Sequence, residues 1–242
     1  MNTFALLGLL DLFFPKHCLV CRRETAEKAT VLCVRCAANL ATQSYSPYGI
    51  NIMLEQAKSN IAVSRAFAPF LNTGENGGLI RVLHLLKYSR HKFLAKDLVA
   101  LAAPGLHAFF SYHHFDALVP VPMHFTKVLQ RGFNQSEVLA GELSKQHQVP
   151  LETQLLHQVK RKKSQASKTR SERQELDGTI FQANSKRAKH YKHVLLFDDV
   201  FTTGTTLASC FEALKTQGIA EISYLTLFYT PLESTSSRLL EL

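Results

Sequence analysis

Residues 194–197 (Val-Leu-Leu-Phe) form an uninterrupted apolar run that gives way to two carboxylates, Asp198 and Asp199. A short run of this kind predicts a strand covered on both faces of a parallel sheet and ending at the acids. After a stretch of hydroxyl residues, Leu207, Cys210, Phe211 and Leu214 recur at helical spacing, and Gly218 supplies a left-handed stop. Residues 222–228 give the next strand. Upstream, residues 66–71 predict an edge strand turned by 72–78, with helices over 79–87 and 93–103, the latter halted at Pro104-Gly105. A further strand begins at Asp116, and Pro120 and Pro122 take it out of the sheet after Val119. A helix then runs to about His147, with Asn134 and Glu137 at capping-box spacing. The alternation of strands and helices predicts an α/β fold, a parallel sheet flanked by helices. Residues 42–60 have no clear period and read as a connection. Residues 4–14, apolar but interrupted by Asp11, predict an amphipathic helix too short to span a bilayer.

The chemistry concentrates where the 194–197 strand ends. A loop from a strand into a helix aims backbone N–H groups and the positive end of the helix dipole at one point. Thr202, Thr203, Thr205 and Thr206 add hydroxyl donors there, and Gly204 permits close backbone approach. This arrangement suits a phosphate monoester. Adjacent acids raise each other's pKa unless something satisfies them, and ribose hydroxyls with a Mg²⁺ ion would do so. The stretch therefore describes a ribose 5-phosphate site. It is not a P-loop, because no Gly-Lys-Ser/Thr closes it, and it lacks the spaced glycines of a dinucleotide fingerprint. The competing reading is an ordinary strand–loop–helix with Thr203 or Thr205 as N-cap.

Two other features change the picture. Cys18 and Cys21, then Cys33 and Cys36, form two Cys-x2-Cys knuckles. Such pairs converge on one tetrahedral ion, and thiolates in a reducing compartment favour a structural Zn²⁺. His17 could replace one of the four ligands or stand by as a neighbour, and Cys210 lies on the apolar face of its helix. The 242 residues carry a formal charge of +9, and from Lys160 to Lys192 eleven Lys/Arg stand against three acids. So local an excess implies a polyanionic partner, and the polar stretch from Lys160 reads as a flap. The domain plan is a zinc finger with its leading helix over 1–45, a linker over 46–60, the α/β domain over 61–232 and a tail over 233–242. With no export signal the expected location is cytoplasmic.

The string Asp198-Asp-Val-Phe-Thr-Thr-Gly-Thr-Thr resembles the phosphoribosyl pyrophosphate (PRPP) loop of type I phosphoribosyltransferases. Together with Val119-Pro-Val-Pro-Met, Arg131-Gly-Phe-Asn-Gln, residues 165–181 and the lead-in to the four cysteines, the chain resembles the competence protein F (ComF) family over residues 10–230. That resemblance implies a five-stranded parallel core and PRPP held with Mg²⁺. It also implies a role in handling imported single-stranded DNA during natural transformation, alongside other DNA-uptake proteins. It places Asp198 and Asp199 on the ribose hydroxyls, the loop Thr202, Thr203, Gly204, Thr205 and Thr206 on the 5-phosphate, and Arg131 near the pyrophosphate. Arg170 and Arg173 match the family's flap, whereas Ser167-Lys168 and Leu176 depart from it.

If the domain is catalytic, pyrophosphate leaves through an oxocarbenium-like centre at ribose C1. Mg²⁺ and Arg131 then neutralise the leaving group, and Asp198 and Asp199 favour the positive charge. No acceptor pocket is recognisable in the sequence. The alternatives are therefore a non-catalytic PRPP- or DNA-binding regulatory module, or an adaptor whose zinc finger and basic flap form one nucleic-acid groove. The charge pattern makes its own prediction. Neutralising Lys160, Arg161, Lys162 and Lys163 together should weaken single-stranded DNA binding and lower the log–log salt slope by about 3, at roughly 0.7 per lost phosphate contact. PRPP affinity should change much less. A salt titration of both ligands checks this, and collapse of PRPP affinity with DNA binding intact would make the stretch an active-site flap.

Overall fold

The computed structural model describes residues 18, 20–23, 32–38, 43–47, 52–58, 62–71, 82, 85, 94–160 and 179–231. The expected helix over 4–14, His17, the 72–78 turn, Lys87, the basic residues from Arg161 to Arg173 and the tail beyond 231 lie outside them. Of the helix expected over 79–87, only Val82 and Leu85 are described, both helical.

The centre is a parallel sheet. Strands β1 (Ala66–Phe67) and β2 (Phe70–Leu71) both pair with β7 (Glu221–Tyr229). They are two pieces of the expected edge strand, separated by Ala68 and Pro69. Strand β6 (His193–Phe201) pairs with β7 on one side and with β3 (Ala117–Pro120) on the other. The sheet thus counts five strands, with β1 and β2 sharing one edge position. Strands β4 (Leu156–Lys160) and β5 (Thr179–Ala183) form a separate antiparallel arm, the root of the basic stretch.

Residues 194–197 are fully buried, and the pleat divides them between two cores. Leu195 and Phe197 face helices α3 (Leu94–Leu101), α4 (Ala103–Tyr112) and α6 (Gln135–His147). Val194 and Leu196 face the other side, with α2 (Ile52–Lys58), the arm, α7 (Ser185–Ala188) and α8 (Thr205–Thr216). Helix α1 (Val34–Ala38) lies in the cysteine region and buries none of its residues. The three-layer α/β expectation holds, and Leu207, Cys210, Phe211 and Leu214 form the buried stripe of α8. Gly218 sits at φ +83°, as a C-terminal stop requires.

Four local expectations are corrected. Strand β6 does not end at the acids: β7 is long enough to pair with Asp198 at Thr226 and, past Asp199, with Val200 at Phe228 and Phe201 at Tyr229. Strand β3 includes Pro120, paired with Phe197, and the Val121 N–H still reaches the Phe197 carbonyl at 2.8 Å. Pro120's missing donor faces the outer edge, where it is tolerated. Pro104-Gly105 does not halt a helix. It opens α4, since proline fits a first turn where its N–H would be unpaired anyway. Finally, the 46–60 stretch contains α2, whose Met53, Gln56 and Ala57 pack inward at i, i+3, i+4. Seven residues give too short a window for that period to stand out. Another short helix, α5 (Phe125–Arg131), buries none of its residues.

The N-terminal cysteine region packs on the α3/α4/α6 core through Cys18, Val20 and Leu32. The chain after it is pinned by Gln43 N–H donating to the Pro69 carbonyl at 2.7 Å. Tyr45 sits edge-on against Phe67 and Phe109 and hydrogen-bonds His113. This crossing needs Gly105, where a Cβ would stand 2.6 Å from the Gln43 carbonyl oxygen and 2.9 Å from Phe67 Cζ. Gly105→Ala should therefore destabilise the fold by about 1–3 kcal/mol, the usual cost of overpacking against backbone. A lower urea midpoint with an unchanged slope is the expected result.

Candidate functional site

The site lies at the carboxyl ends of β3 and β6, the end of a parallel sheet where ligands bind. Beyond Phe201 the chain turns through Thr202, Thr203 and Gly204 into α8. Gly204 is the N-cap in the left-handed region, at φ 80°. No side chain caps α8, so neither Thr203 nor Thr205 is an N-cap acceptor. Their hydroxyls face each other instead, at 3.1 Å. The first N–H groups of α8 are thus not occupied by a capping side chain, which suits an anion. An open pocket is walled by Asp198, Val200, Phe201, all five residues from Thr202 to Thr206, Leu207 and Tyr224. The structure brings the whole expected phosphate loop together with Asp198. Asp199 and Arg131 are not among the walls.

Asp198 is fixed from two directions. Its Oδ1 accepts from Ser136 Oγ at 2.8 Å and from the Asp199 N–H at 2.9 Å. The protein itself therefore meets part of the demand that ribose hydroxyls and Mg²⁺ were expected to meet. Ser136 is delivered by the N-terminus of α6, where Asn134 does cap: its side-chain oxygen accepts from Ser136 N–H, and its Nδ2 donates to the Val121 carbonyl at 3.0 Å. One asparagine ties β3 to α6 and thereby aims Ser136 at β6. Arg131 ends α5, and its guanidinium donates to Gln135 Oε1 at 3.5 Å, on the same α6 turn. Beneath the loop, burial pushes the Tyr224 phenol well above its usual range, and the charges of Asp198 and Asp199 push it further. Burial and then Asp198 do the same to the Cys210 thiol. Both side chains stay neutral under the site.

Sequence reasoning missed Ser136, and it missed Gln56 and Tyr229. Gln56 Nε2 donates to the Thr202 carbonyl at 2.7 Å, and the Tyr229 hydroxyl donates to Gln56 Oε1 at 2.7 Å. Gln56 is 146 residues from Thr202, a separation over which no pattern in the sequence speaks. Asn134-x-x-Glu137 could have pointed to Ser136, since a capped first turn projects its residues toward the strand end.

The four expected cysteines also converge. The Sγ atoms of Cys18, Cys21, Cys33 and Cys36 lie within 4.8 Å of one another. Cys21 and Cys33 are 3.7 Å apart, close to the edge of about 3.8 Å that a tetrahedron with 2.3 Å metal–sulfur bonds requires. Cys36 N–H donates to Cys33 Sγ at 3.4 Å. Burial opposes ionisation of Cys18, but backbone donors at Cys21, Cys33 and Val20 outweigh it and bring the thiol down to about 7. Cys36 is driven the opposite way, by burial and by hydrogen bonds with the other three thiols. Thiols this close cannot all ionise unless a cation neutralises them. The donor set fits one tetrahedral ion.

The basic stretch is less free than its charge suggests. Arg187 Nη1 donates to Glu152 Oε2 at 2.7 Å, and Tyr191 donates to the same oxygen at 2.9 Å. Arg187 is a structural cation at the root of the arm. No helix among the described residues is long and apolar enough to cross a membrane.

Comparison with known proteins agrees with this geometry. Residues 133–237 match the phosphoribosyl transferase domain family. The chain is 33% identical to competence protein F of Haemophilus influenzae over 108 residues, 44% of this chain and 47% of that protein. It is 27% identical to the DNA utilization protein YhgH of Escherichia coli K12 over 214 residues, 85% of this chain and 86% of that one. Competence protein ComFC of Bacillus subtilis is 31% identical over 115 residues, 47% of this chain and 44% of its own length. The matches thus span less than half of the two competence proteins and most of the Escherichia protein. The α/β body holds a phosphoribosyltransferase domain. The chain as a whole is similar to these competence and DNA utilization proteins.

Proposed function

We propose that this chain binds PRPP at the carboxyl end of β6 and acts in handling single-stranded DNA during natural transformation. The observation that carries the reading is the uncapped start of α8 meeting a carboxylate-bearing strand in one pocket. The phosphate loop takes the 5-phosphate on the backbone donors of Thr203, Gly204, Thr205 and Thr206 and on the threonine hydroxyls. Asp198 and Asp199 take the ribose hydroxyls, with Asp198 held in place by Ser136. Carboxylate oxygens are the donors Mg²⁺ prefers, and the ion would supply charge neutralisation to the pyrophosphate. Arg131 stands on the α6 side, where its planar donor fork suits pyrophosphate oxygens. The basic stretch from Lys160 to Lys192 carries the DNA, with Arg187 reserved to the arm's own framework. The names of the competence and DNA utilization relatives support that assignment, as does the charge. The four cysteines hold a structural Zn²⁺. Pyrophosphate release measured across candidate acceptors separates a transferase from a binding module.

The site assignment has a direct test. Asp198→Ala with Asp199→Ala should abolish Mg²⁺-dependent PRPP binding in a calorimetric titration while the melting transition remains cooperative. Unchanged affinity would place the site elsewhere.

For the metal, elemental analysis should give one zinc per chain. Cys33→Ser should lower that content and destabilise the fold, since removing one of four ligands also leaves three crowded thiols without their ion. Metal-free protein with the same stability would refute the zinc assignment.

A further inference from the structure

We propose that Gln56 is a positioning residue for the phosphate loop, holding the peptide between Thr202 and Thr203 in its anion-receiving orientation. The inference rests on the PRPP reading of the loop above and adds a residue from outside the matched domain region. Gln56 is 8% exposed, on the inward face of α2. Its side chain spans two fixed groups, the Thr202 carbonyl at 2.7 Å and the Tyr229 hydroxyl at 2.7 Å. A carbonyl can only accept, so the atom facing Thr202 must be the amide nitrogen. The amide oxygen then faces Tyr229, whose hydroxyl must donate. Burial raises the Tyr229 phenol to about 12, so that proton stays in place at neutral pH. The orientation of the amide is therefore set by its partners.

The consequence follows from peptide geometry. In a trans peptide the carbonyl of one residue and the N–H of the next point in opposite directions. Fixing the Thr202 carbonyl toward α2 fixes the Thr203 N–H away from it, on the side of the loop opposite Gln56. Gly204 follows at φ 80° and can rotate with little steric resistance. Without an anchor on its N-terminal side, this loop could flip the 202–203 peptide and present a carbonyl oxygen where a phosphate must bind. The Thr202 and Thr203 side chains are exposed. Gln56 supplies that anchor from an element that precedes the sheet in sequence, and Tyr229, on the last rung of the β6–β7 ladder, keeps Gln56 itself in register.

The test compares three probes on the full chain: PRPP with Mg²⁺, ribose 5-phosphate, and inorganic pyrophosphate with Mg²⁺. Gln56→Glu keeps the shape but replaces the donating amide with an acceptor, and Gln56→Leu removes the polar group should a buried carboxylate unfold the chain. We expect either variant that melts cooperatively to lose at least tenfold in affinity for PRPP and for ribose 5-phosphate. Pyrophosphate, which engages the Arg131 side, should stay within twofold. Equal loss for all three probes would make Gln56 a general fold residue and overturn the proposal. So would ribose 5-phosphate affinity within twofold of the unmodified protein. If those affinities persist in the Gln56 variants but vanish in Asp198→Ala with Asp199→Ala, only the Gln56 inference fails. Unmodified protein that binds neither PRPP nor ribose 5-phosphate overturns both.

Discussion

The double-sided burial of β6 is the constraint on which the rest depends. A strand with one wet face can slip or twist without great loss, but residues 194–197 are fully buried in two separate cores. Shifting the register by one residue would exchange those cores entirely. Burial of each such side chain contributes about 1.5–3 kcal/mol, so the register is held far more firmly than any single site contact could hold it. Asp198 and the phosphate loop inherit that precision. The same ladder sets Phe201 opposite Tyr229, which places a buried hydroxyl within reach of Gln56.

The cysteine region belongs to this framework. Cys18, Val20 and Leu32 join the same core as Leu195 and Phe197, and Gln43 and Tyr45 cross the first turn of α4 at Gly105. A stretch this short cannot bury enough surface to fold alone, so it leans on the neighbouring core. Helix α2, later in the chain, touches the phosphate loop through Gln56.

What the sequence disclosed is the part that depends on neighbours along the chain. The β6 run, the Thr/Gly loop, the stripe on α8, the Asn134 cap and the paired cysteines are each local, and their patterns survive in one dimension. The edge strand was legible too, although Pro69 divides it. The contacts that aim the site were not. Ser136 reaches Asp198 across 62 positions and Gln56 reaches Thr202 across 146. A lone serine or glutamine in a helix carries no mark of such a role. Pro104-Gly105 misled for the opposite reason: a helix-stopping signal and a helix-opening signal use the same proline.

The arm ties the root of the basic stretch to the body of the sheet. Strand β5 packs against α8, and Phe181 with Leu155 and Leu156 lies in the same core as Leu207 and Phe211. Glu152, Arg187 and Tyr191 lock the root of the arm to the body, and Gln154 N–H adds a bond to the same carboxylate at 2.8 Å. Burial acts against that carboxylate's charge, yet its donors hold the Glu152 pKa below the usual value, so the clasp keeps its charge at neutral pH. Both strands that lead into the basic stretch are therefore anchored on the helix whose N-terminus forms the phosphate loop.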